Sequence, residues 1–129
     1  MTTKAGFEGK ETRELEQARW SDYFEELNRR LAGGLDIEAT LELVTEEIVG
    51  PEAERLPLDS ITHEDGDDEI AIGLGGRGQR FPAVLWHFVE KPRHVWVIER
   101  GEEPEPAVIA IQSEDGSRTL LHLNPGRSS

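Results

Sequence analysis

The densest run of side chains able to do chemistry is His63-Glu64-Asp65-Gly66-Asp67-Asp68-Glu69, five carboxylates and an imidazole. Hard cations such as calcium gather several oxygens around one centre, so such a run could hold one. Its spacing departs from the alternating D-x-D-x-D-G loop, and the terminal bidentate glutamate is missing, so a polar hairpin tip at 63–69 accounts for it without a metal. The remaining imidazoles, His87, His94 and His122, are the natural set for a zinc or acid–base centre, yet no H-x-H or H-E-x-x-H spacing joins them. Gly73-Leu74-Gly75-Gly76-Arg77-Gly78 satisfies G-x-G-x-x-G as a string. Dinucleotide binding needs the third glycine to open a helix, and here Gln79-Arg80-Phe81-Pro82 leads into another strand-like run. A flexible strand connection, or at most an anion nest of glycine amides beside Arg77 and Arg80, is the expected role. No serine lies in a G-x-S-x-G elbow and the chain has no cysteine. No catalytic, cofactor-binding or metal-ligating residue is assigned on this reading, and no cofactor is called for.

The bulk properties narrow the function classes. A chain of 129 residues is one domain by length and can bury roughly two-thirds of the surface its unfolded form exposes. Twenty-seven acidic residues against 14 basic ones give a net charge of −13. Nucleic acid and anionic membrane surfaces are bound mainly through lysine and arginine, so neither is an expected partner. With no apolar signal-like segment at the start, a cytoplasmic location is expected.

Any site must be positioned by the elements around it. Residues 1–12 and 125–129 read as flexible tails around one domain at 13–124. Over 16–32 the residues Trp20, Phe24, Leu27 and Leu31 fall at i, i+4, i+7 and i+11, which predicts a helix stopped by Gly33-Gly34. From Ile37 to Leu43 the period drops to two, a half-buried strand. The acidic stretch 46–55 with Gly50-Pro51 is expected to be a loop. Three hairpins should follow, turning at Asp65-Gly66, Lys91-Pro92 and Asp115-Gly116. One helix followed by hairpins is an α+β arrangement: an N-terminal helix packed on a strongly bent antiparallel sheet of about six strands.

The turn positions also predict faces. A turn at Lys91-Pro92 sets Phe88 opposite Val95, Trp86 opposite Val97 and His87 opposite Trp96, with His87 and His94 diagonal neighbours. Val84, Trp86, Phe88, Val95 and Val97 then share one face, while Leu85, His87, Val89, Trp96 and Ile98 share the other. The last hairpin would put Ile109, Ile111 and Leu120 on one side and Val108, Ala110, Leu121 and Leu123 on the other. Both faces are apolar, and one helix covers only one of them. Either the sheet closes into a small SH3-like barrel, or a second subunit or protein partner covers the second face near Trp96.

Several segments stand out by their order and spacing: Thr12-Arg13-Glu14-Leu15, Trp20-x-x-Tyr23-Phe24, Leu41-Glu42-Leu43 with Gly50-Pro51-Glu52, Leu56-Pro57-Leu58, Lys91-Pro92-x-x-Val95 and Asp115-Gly116-x-x-Thr119-Leu120-Leu121. In that order they resemble an uncharacterised bacterial family, number 5335 among the domains of unknown function. The resemblance implies a small standalone protein and carries over no catalytic residue. A non-catalytic binding or protein-interaction module is the leading expectation. The alternative is a small metal- or ligand-dependent enzyme using His87, His94, His122 or the acidic hairpin, and a third is an acidic surface that occupies a basic partner.

Overall fold

The computed structural model describes residues 12–45, 49–77, 81–102 and 104–126, without the side chains of 49–54, 77, 81 and 82. The tail 1–11, Gly78, Arg80 and the last residues 127–129 lie outside the described residues, as do the side chains of Arg77 and Arg80 invoked for an anion nest.

A 3-10 turn at Gln17–Arg19 leads into helix α1, Trp20–Ala32. The expected stripe is its buried face: Trp20, Phe24, Leu27 and Leu31, joined by Tyr23. Asp22 in the first turn and Arg29 and Arg30 in the last complement the helix dipole. Gly33 donates to the carbonyls of Arg29 and Arg30, and Gly34 then takes φ +115° to turn the chain away.

Among the described residues there are eight antiparallel strands, rather than about six, the first preceding the helix: β1 (Arg13–Leu15), β2 (Ile37–Val44), β3 (Val49–Glu64), β4 (Glu69–Arg77), β5 (Phe81–Glu90), β6 (Pro92–Glu99), β7 (Pro106–Ser113) and β8 (Arg118–Pro125). Their order is β1-β6-β7-β8-β2-β3-β4-β5, so β1 and β5 are edges and the sheet is not closed into a barrel. The α+β class stands; the strand number and the closure do not. Most of the stretch expected to be a loop at 46–55 is the first half of β3, paired with β2 from Val44↔Val49 to Glu38↔Pro57. Its acidic composition hid the strand, because this half pairs at the backbone whatever its side chains prefer.

The turn at Lys91-Pro92 is not a hairpin. β5 pairs with β4, and β6 pairs with β1 and β7. Only Lys91 separates β5 from β6, one residue fewer than the tightest common hairpin loop. Lys91 adopts φ 52°, and the chain passes to the other end of the sheet. The facing pairs Phe88–Val95, Trp86–Val97 and His87–Trp96 therefore do not form, and His87 and His94 are not diagonal neighbours. At Asp115-Gly116 the hairpin is real but its register differs from a two-residue turn. Ser113 N–H donates to Ser117 O, and Ile109 faces Leu121 while Ile111 faces Thr119. Ile109, Ile111, Thr119, Leu121 and Leu123 are buried, and Leu120 joins Val108 and Ala110 on the opposite face. A slip of one residue exchanges the faces of a whole strand, which is how that expectation failed. At Asp65-Gly66 the hairpin also holds, closed by a 3-10 turn (Asp65–Asp67) and a left-handed Asp68.

One core fills the helix side of the sheet. Trp20, Phe24, Leu27 and Leu31 of α1 share it with Ile61, Ile70, Ile72 and Val89 from one half of the sheet and Val95, Val97, Ile109 and Leu121 from the other. The helix also replaces a missing strand. Beyond Pro57, β3 has lost β2 and has β4 on one side only. There the Asn28 amide donates to Ile61 O at 2.9 Å, and its carbonyl accepts from Ile61 N at 3.0 Å. Asn28 thus satisfies both backbone groups that a neighbouring strand would have taken. Glu99, with a side chain 16% exposed, ties the other end by accepting from Tyr23 Oη at 2.5 Å, Glu105 N at 2.8 Å and Arg13 at 3.3 Å.

Asn28→Ala strands the Ile61 N–H and C=O and should lower unfolding stability by about 1–3 kcal/mol in urea titrations; a loss below about 0.5 kcal/mol would show that water replaces the clamp. In the last turn, donation from Ser117 Oγ (2.7 Å) and Ser117 N–H (2.9 Å) holds the Asp115 carboxyl below its ordinary range. A carboxyl depressed in the folded state stabilises it above the unfolded pKa, and this is lost as pH falls through the folded pKa. Ser117→Ala should raise the Asp115 midpoint in a carboxyl NMR titration, and an unmoved midpoint would assign the depression to another cause.

Candidate interaction surface on the edge strand

Alternation along β4 sends Ile70, Ile72 and Leu74 into the core and leaves Ala71, Gly73 and Gly75 on the side away from the helix. The register sets these small residues opposite Phe88, Trp86 and Val84 of β5. From Gly73 to Arg77 the glycine-rich string is thus part of a strand and not a flexible connection. Gly75 (φ +93°) and Gly76 (φ +71°) form a bulge that L-residues would strain to adopt. Gly73 serves a different end. A Cβ placed there would stand 2.9 Å from the Trp86 ring and 3.3 Å from Ser60 Oγ, so the benzo end of the indole overlies the bare backbone of β4 at Gly73.

Phe88 stacks beside that indole, ring centroids 6.3 Å apart and planes 22° from parallel. Trp86 and Phe88 are each 51% exposed and Leu85, on the other side of the strand, 56%. These three neighbours are the large apolar side chains left most open among the described residues, and they stand on an edge strand. Beyond Phe88 the register lines up Glu64, Glu69 and Glu90 directly opposite one another across β3, β4 and β5.

The face around Trp96 is less open. Trp96 is half-buried, His94 stacks on it at 5.4 Å and 19°, and the Arg118 guanidinium lies 5.9 Å from its ring centroid. Val108, Ala110 and Leu120 flank it, all partly covered.

The histidines are scattered. His94 Nδ1 meets Glu14 Oε2 at 2.7 Å, and His122 Nε2 meets Glu42 Oε1 at 3.3 Å. His94 aligns through Gln112 with Arg118, and His122 lies four residues farther along β8, about 13 Å at strand rise. His87 is on β5, at the far edge, opposite Ile72. Among the described residues no three histidine, aspartate or glutamate side chains are grouped to hold a metal ion, those of the acidic hairpin included.

His63 is where sequence reading missed a contact. Its side chain is 6% exposed, its Nδ1 lies 3.0 Å from Ser21 Oγ, and Trp20 meets the ring edge-on at 5.2 Å. Asp65 Oδ1 stands 3.9 Å from Nε2 on a side chain 87% exposed. These are the residue types of an acyl-transfer triad, but the carboxylate is beyond hydrogen-bond reach of the ring it would have to orient. Lying beside the Asn28 clamp, the Ser21–His63 bond fastens α1 to β3. A parity argument could have found it, since His63 shares the inward alternation of Ile61.

The family of unknown function DUF5335 has a model that matches residues 11–129. The chain belongs to that family. No curated protein and no solved structure matches the chain. Membership in DUF5335 accounts for the order of the segments from Thr12 onward and assigns no activity to any of them. No described helix is long and apolar enough to cross a membrane.

Gly73→Ala should lift the indole from β4. A shift of the Trp86 fluorescence and a loss of about 1–3 kcal/mol are expected from such overpacking. An unchanged spectrum would mean that the ring does not lie across Gly73.

Proposed function

We propose that this DUF5335 protein is a non-catalytic interaction module whose working surface is the outer side and free edge of β5. One observation carries the reading: Trp86 and Phe88 on the outer side of an edge strand, and Leu85 on its other side, are all more than half exposed. A soluble monomer gains nothing by leaving two aromatic rings in water, and tryptophan and aromatic anchors are the side chains that concentrate binding energy at interfaces. The outer edge of β5, with no strand beside it among the described residues, offers backbone groups for directional contacts beside the apolar ones. The Trp96 surface is the lesser candidate, because His94 and Arg118 already occupy the faces of that ring.

The metal- or ligand-dependent alternative would work through His87, His94 and His122, which stand on three strands. Two of them are engaged by Glu14 and Glu42. That spacing favours the module.

A photo-crosslinking residue in place of Leu85 should give a discrete adduct in cells of the protein's own source, and Trp86→Ser with Phe88→Ser should abolish it while shifting the thermal midpoint by no more than a few degrees. Equal adduct yield from a probe at exposed Glu102, or no loss in the double variant, would remove β5 from the function.

A further inference from the structure

Resting on the reading of β5 as the working surface, we infer that its occupant is an extended segment with one basic side chain beyond two apolar ones, added to β5 as a ninth, antiparallel strand.

The face of β3, β4 and β5 away from the helix is built in three rows set by the register. Ser60, Gly73 and Trp86 form the first, Thr62, Ala71 and Phe88 the second, and Glu64, Glu69 and Glu90 the third. The first two rows offer an aromatic step above a floor of small residues. The third opposes three like charges on adjacent strands, an arrangement that costs a sheet stability. No ion pair joins any of the three to another described residue, whereas the nearby Asp68 is held by Arg93 at 3.2 Å and Glu114 lies 3.7 Å from Lys91. Arg93 and Lys91 are thereby directed to the turns and away from the row.

A strand laid along β5 continues these rows, because paired residues stand level and alternate side chains share a face. Its outward side chains therefore meet Trp86, Phe88 and Glu90 at i, i+2 and i+4. Apolar groups suit the first two positions, and lysine or arginine the third, where a cation relieves the carboxylate repulsion and can also lie against the Phe88 face. Every strand pair of the sheet is antiparallel, which is the more stable hydrogen-bond pattern, so the segment runs opposite to β5 and presents its basic residue first. A second copy fits worse: the chain carries −13, and its own β5 would bring Glu90 rather than a cation.

The test uses the full chain and two blocked heptapeptides, Lys-Thr-Val-Thr-Val-Thr-Val and its counterpart with Glu for Lys, followed by backbone NMR with amide exchange. The lysine peptide should slow exchange along β5 and bind at least about tenfold more tightly than the glutamate peptide, a gap of about 1.4 kcal/mol. Glu69→Gln with Glu90→Gln should close most of that gap, while Glu16→Gln with Glu102→Gln, of equal charge change elsewhere, should leave it. Equal binding of both peptides at β5 would keep the edge as an interaction surface and overturn the basic occupant. So would a gap eroded alike by both pairs of variants, which would make it an effect of net charge. Protection of β5 that grows with protein concentration and ignores both peptides would assign the edge to a second copy and overturn the inference. No protection under any of these conditions would overturn the inference and the reading beneath it together.

Discussion

Strand β3 changes partners half-way along, and the rest of the molecule follows from that. Up to Pro57 it is bonded to β2; from Leu58 it is bonded to β4 and has no strand on its other side. A bare backbone edge inside a small domain would cost several unsatisfied hydrogen bonds. Helix α1 removes that cost by lying along the gap, with Asn28 bonded to both backbone groups of Ile61 and Ser21 bonded to His63. The same placement buries the Trp20–Leu31 stripe against both halves of the sheet, so that edge protection and core formation are one event.

That solution has a consequence at the opposite side. A single helix covers one face and leaves the other to manage itself. Around Trp96 it does so with long polar side chains: His94 and Arg118 flank the ring, and Glu14 and Glu42 engage the histidines. Around Trp86 it does not. The small residues of β4 make room for the indole, but Trp86 and Phe88 stay half open. The two halves of one surface have thus been treated differently, and that difference is the ground for the role proposed for β5. The turns at the acidic end hold β5 firm at that point: Lys91 N–H donates to Asp68 O, Glu114 N–H donates to Lys91 O, and Arg93 clasps Asp68.

Local signals carried the helix, the strand at β2 and the hairpins at Asp65-Gly66 and Asp115-Gly116, because each depends on neighbours within a few residues. The second apolar face was also legible in the run of large residues at 83–89 and 94–98, though its membership was not. Trp86 and Phe88 were grouped with Val95 and Val97, which the fold instead buries. The error began at Lys91-Pro92, where a turn-like dipeptide hides a crossover. The glycines were misjudged for a related reason: a string rich in glycine reads as a loop unless one knows that a tryptophan from the next strand must lie across it.

The sequence by itself determined the class, the helix and its buried stripe, the acidic character and the excess of apolar surface over what one helix can hide. These depend on composition and on periodicities of two and 3.6 residues, which are properties of the chain before it folds. Tertiary structure alone decided which strands pair, that β1 and β5 remain edges, and which tryptophan is exposed. Pairing joins residues far apart in sequence, and an error of one residue at a turn reverses every face beyond it, so no local pattern can settle it.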